Sequence, residues 1–78
     1  MGQTTETTSL AKLIAWFNEQ ADSQLKILAG ARVILKTGYT FPSLIEKKSN
    51  DPDLPELFNQ VKAIIEEMTG LKSPIQIP

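Results

Sequence analysis

The sequence predicts a small all-α protein: a long N-terminal helix, a short middle helix and an antiparallel C-terminal helix. Three observations predict it. Apolar residues recur at steps of three and four over 9–37 and again over 54–69, a glycine stands just past each stretch, and dense turn signals separate the two. The alternative is an α+β fold with a short hairpin over 31–41, built on the β-branched pair Val33-Ile34 and on 36–41 as a second strand. An isolated two-stranded hairpin is marginal in water, and no third strand is evident to support it.

The first eight residues are polar and threonine-rich, which predicts a flexible N-terminal tail. Thr7, Thr8 or Ser9 can cap the helix that follows, because a hydroxyl satisfies an otherwise orphaned backbone N–H. The stripe of that helix is Leu10, Leu13, Ile14, Phe17, Ala21, Leu25, Leu28, Ala31 and Leu35. Asp22 and Lys26 sit four apart on the opposite face in the favourable order for an ion pair. Gly38 is placed to end the helix in a left-handed conformation, with Lys36 near its negative end. Val33 falls on the polar face of this continuous helix, its least comfortable consequence.

Thr40 can cap a short middle helix that carries Pro42 in its first turn, where a missing N–H costs nothing. Ser49-Asn50-Asp51-Pro52-Asp53 is a turn, after which Asp51 or Asp53 caps the final helix. Its stripe is the cleanest in the chain: Leu54, Leu57, Phe58, Val61, Ile64, Ile65 and Met68. Gly70 stops it, and Leu71 is expected to fold back on Ile65. The chain thus reads as a single helical domain over 9–71 and an extended tail over 72–78 that contains two prolines.

Composition narrows the function classes. A core from 78 residues rarely supplies more than roughly 3–5 kcal/mol by itself, so small domains usually add a staple or a partner. With no Cys and no His, a disulfide is impossible and zinc or haem has lost its commonest ligands, so no cofactor or metal is expected. Net charge −1 with 22% charged residues fits neither a disordered chain nor a general polyanion binder. No apolar run is long enough to span a membrane, and no basic-then-apolar leader opens the chain, which predicts cytoplasmic residence. Met1-Gly2 matches the start of a myristoylation signal, but Glu6 stands where that motif wants Ser or Thr.

Enzymatic activity is not expected. Glu66 and Glu67 are adjacent, so they diverge by about 100° around a helix and do not face each other as a catalytic pair. Asp51 and Asp53 flank Pro52 in a turn, where capping explains both. The spacing of Gly30 and Gly38 is not that of a phosphate-binding loop.

The sequence favours a protein–protein interaction or assembly module. A helix of about 28 residues is about 42 Å long, against about 24 Å for the last one, so the short helix covers little more than half of it. Trp16, Ile27 and Ile34 form a second stripe that widens the apolar surface to roughly half the circumference, beyond the stripe of about 100° that a typical surface helix shows. Self-association along this helix, or docking of another protein, would cover the excess; the middle helix and tail are the competing explanation. Trp16 reads first as a core or core-edge aromatic, with an interface anchor as the alternative. Arg32, the sole arginine, is either the polar determinant of the contact or an ion-pair partner of Glu66 or Glu67.

A nucleic-acid accessory protein is the alternative from another class. Lys26, Arg32, Lys36, Lys47 and Lys48 face only Glu46 across 26–48, and Tyr39 and Phe41 are interleaved. Lys36, Tyr39, Phe41, Lys47 and Lys48 are then the contact residues, by stacking and phosphate attraction. Five cations spread over two elements make a diffuse footprint compared with the clustered basic face usual for such proteins.

Overall fold

In a computed structural model of the protein, which describes residues 8–76, four helices follow one another: α1 Ser9–Gln20, α2 Ser23–Thr37, α3 Phe41–Ile45 and α4 Leu54–Thr69. Among the described residues there is no strand, so the all-α class holds and the hairpin over 31–41 does not form. Val33-Ile34 lies inside α2, and Phe41 opens α3.

The long first helix is divided in two. Ala21 and Asp22 both turn extended, with ψ of 144° and 178°. Asp22 is the N-cap of α2: its Oδ1 accepts the Leu25 N–H at 2.7 Å. The carboxylate expected to pair with Lys26 on a helix surface serves the backbone instead. Short Asp side chains compete for nearby N–H groups, which is why they favour caps over helix interiors. Thr8 caps α1 in the same way, Oγ1 accepting from the Ala11 N–H at 3.0 Å.

The break resets the rotation of α2 about its own axis. In α1 the expected stripe is buried: Leu10, Leu13, Ile14 and Phe17 are inaccessible. In α2 the buried residues are Ala29 and Val33, flanked by half-buried Leu25, Gly30 and Thr37. Leu28, Ala31 and Leu35, expected in the core, are exposed, whereas Val33, expected outside, is fully buried.

Helix α4 is the spine of the bundle, packing on both α1 and α2 while α3 closes against α1. It runs opposite to α2: Arg32 meets Glu67, Leu35 and Lys36 share a hollow with Ile64, and Thr37 and Tyr39 share one with Leu57. Leu57, Phe58, Val61 and Ile65 complete the core with Leu44 from α3. Thr40 caps α3 as its sequence predicts, accepting the Ser43 N–H at 3.3 Å. Asp53 makes no side-chain cap on α4; Asp51 organises the turn instead, its Oδ1 accepting the Asp53 N–H at 2.9 Å.

Helices α2 and α4 stop by one device, a Thr-Gly pair. Gly38 and Gly70 adopt φ of 81° and 74°, and their N–H groups donate to the carbonyls of Ile34 and Glu66. That left-handed conformation suits glycine because it has no Cβ. The preceding Thr37 and Thr69 donate to the carbonyls of Val33 and Ile65, and each accepts the N–H of the residue after the glycine. Leu71 does not provide the expected buried contact, being 47% exposed. Ile75 packs on the core in its place, and the Ser73 N–H donates to Glu66 Oε2 at 2.8 Å.

Candidate functional site: the outer face of the second helix

The four most exposed large apolar residues of α2 share one side of it. Ile27 is 72% exposed, Leu28 52%, Ile34 46% and Leu35 87%, with exposed Ala31 in their midst. At 100° per residue they fill an arc of about 120° opposite the Leu25, Ala29 and Val33 side. The charged residues of α2 lie outside the arc. Lys26 and Lys36 fall beside the buried face, and Arg32 sits at the border toward α4. This inverts the usual arrangement of a surface helix, in which charge occupies the side away from the core.

Of the expected contact residues, Ile27 and Ile34 are on this face. Trp16 is on α1, half-buried and packed against the core, so the stripe joining it to Ile27 and Ile34 does not survive the break at Ala21-Asp22. Leu28 and Leu35 were missed because an unbroken helix turns them inward. Arg32 Nη1 pairs with Glu67 Oε1 at 2.7 Å, both side chains more than half exposed, and so ties α2 to α4 at its surface. Pairs this exposed are typically worth well under about 1 kcal/mol. Beside Arg32, Leu35, Lys36 and Ile64 line a shallow apolar hollow that extends the patch toward α4.

The basic middle segment is differently employed. Phe41 is half-buried, its ring 5.8 Å from that of Phe17, with Gly30 beneath it. Lys47 Nζ lies 4.3 Å from the centre of the Tyr39 ring and 3.1 Å from Asp51 Oδ2. The Asp51 hydrogen bond, with a further contribution from Tyr39, raises the Lys47 pKa above its ordinary value. Asp51 is held below the usual carboxylate range, first by the Asp53 N–H and then by Lys47. Lys36 and Lys48 are exposed. The five residues thus comprise a core-edge ring, a cation–aromatic pair held by Asp51 and two separate surface lysines.

Among the described residues no three carboxylates cluster into a metal-binding group, and no helix is long and apolar enough to cross a membrane. No family model, curated protein or solved structure matches the chain.

Proposed function

We propose that the chain is a small non-enzymatic interaction module of the cytoplasm that associates with itself through the outer face of α2. The observation that carries this reading is the arc of Ile27, Leu28, Ile34 and Leu35, apolar and uncharged on the side of the helix that faces solvent. Its exposed area is on the order of 500 Å², near the upper end of the largest contiguous patch on a typical monomer. An exposed apolar patch of this size rimmed by charged residues, here Lys26, Arg32 and Lys36, is the kind that marks a contact surface. A core this small also gains most from a second subunit, because the staples available to other small domains need cysteine or metal ligands.

The nucleic-acid alternative has less support: Phe41 is packed against Phe17, and Lys47 is engaged by Asp51 and Tyr39. Sedimentation velocity over a concentration series tests the proposed reading. Mass doubling is expected for the wild type, together with a melting temperature that rises with concentration. The Leu35→Glu variant should stay monomeric, because each copy would bury a charge in the contact.

A further inference from the structure

The apolar face of α2 is arranged symmetrically. Ile27-Leu28 and Ile34-Leu35 stand at equal distances on either side of Ala31. The i±4 row Ile27–Ala31–Leu35 and the i±3 row Leu28–Ala31–Ile34 cross at that alanine, the smallest side chain of the five. We infer that a second copy of this chain docks with its α2 antiparallel to the first, the two-fold axis passing between the two Ala31 residues. This rests on the self-association proposed above and specifies its geometry.

Such an axis sets Ile27 of one copy opposite Leu35 of the other and Leu28 opposite Ile34, so one patch is its own complement, as a two-fold interface requires. Small residues at the crossing let the helix axes approach near the lower end of the usual range of about 8–10 Å. Lys26 and Lys36 correspond across the axis, yet each lies about 140° around the helix from Ala31, outside the seam. Antiparallel alignment also sets opposite ends of the two helix dipoles together. Two patches bury on the order of 1,000 Å², the threshold of a specific contact, so the expected dimer is concentration-dependent rather than permanent.

The natural chain has no cysteine, so each introduced thiol is unique and can report the seam. All the positions used are exposed. Under mild oxidation the full-length Ala31→Cys variant should form a disulfide-linked dimer. The Ile27→Cys variant alone should not: antiparallel copies place its two thiols eight residues apart along the seam, or about 12 Å. That exceeds the Cα separation of about 7 Å that a disulfide tolerates. Mixing Ile27→Cys with Leu35→Cys should restore cross-linking to at least about tenfold above either alone.

If sedimentation shows dimers but Ile27→Cys links to itself as readily as Ala31→Cys, the helices are parallel and the inferred seam is wrong. Dimers with no cross-linking at any of the three positions place the contact elsewhere and overturn the seam while self-association stands. A wild-type chain that stays monomeric at about 100 µM, where a contact of this size should be populated, overturns both.

Discussion

Helices α2 and α4 have 15 and 16 residues, lie side by side in opposite directions and end at the same Thr-Gly pair. They differ in how they divide their side chains. Helix α4 buries Leu57, Phe58, Val61 and Ile65 and turns Glu56, Asn59, Ala63 and Glu67 outward. Helix α2 buries only Ala29 and Val33 fully, and presents two leucines and two isoleucines to solvent. Packing explains the choice of small residues inward, since α2 must fit against α4 while the Phe41 ring rests over Gly30. What the contrast teaches is that hydrophobicity alone does not select the buried face of a helix. Shape and the local caps choose between two available stripes.

Truncating one large side chain on each helix should separate the two most strongly. Ile65→Ala removes an inaccessible side chain of α4 and should cost about 2–5 kcal/mol, enough to unfold much of the population. Leu35→Ala should change stability by no more than about 0.5 kcal/mol when measured at low concentration, where association makes no contribution. Thermal unfolding followed by circular dichroism reads both. A large loss at Leu35 in dilute protein would mean that α2 is turned the other way.

Within α2, Val33→Ala should cost about 2 kcal/mol, the transfer of two methylene-sized groups plus a small cavity. Leu28→Ala, though it deletes a larger side chain, should cost less, because Leu28 is already half in water. Urea midpoints of the two variants test this inverted order directly. At the helix ends the two elements should behave alike. Gly38→Ala and Gly70→Ala each force a Cβ into the left-handed region and should cost about 1–2 kcal/mol; markedly unequal losses would show that the shared stop is not equally strained.

The smallest effect concerns how each helix is launched. Asp22 caps α2 locally, whereas the turn before α4 is braced by Lys47 and Asp51. Asp51 titrates below its ordinary value when folded, so its contribution is present above that value and fades as pH falls through the folded one. Lys47 titrates above its ordinary value, so its contribution is lost only as pH rises through the folded one. The urea midpoint of Asp51→Asn should therefore lie below wild type at about pH 6 and approach it as pH falls through the folded Asp51 value.

Much of the architecture was legible in the residues themselves. The α1 stripe, the Thr40 cap, the α4 stripe, both glycine stops and the Arg32–Glu67 option follow from spacing and hydrogen-bonding chemistry. The break at Ala21-Asp22 was not, because Phe17, Ala21 and Leu25 continue the three-and-four rhythm across it. Periodicity reports only that a helical face is available on either side, and it does not report a two-residue interruption. Asp22-Ser23 followed by an apolar run is itself a capping signal, and the awkward position of Val33 was its second symptom. An unbroken period therefore hides half of the apolar patch: it leaves Ile27 and Ile34 as surplus and turns Leu28 and Leu35 into the core.

The interruption also determines which identity the molecule shows to its surroundings. Were α1 and α2 one rod, Leu25, Leu28 and Leu35 would follow Phe17 inward, and Ala29 and Val33 would rotate out. Two extended residues act as a selector switch: with the same sequence on either side, they choose a greasy exterior over an ordinary one. Helical phase does not carry across an extended pair, so α2 is free to take its lining from whichever side fits α4, and the coat is what remains.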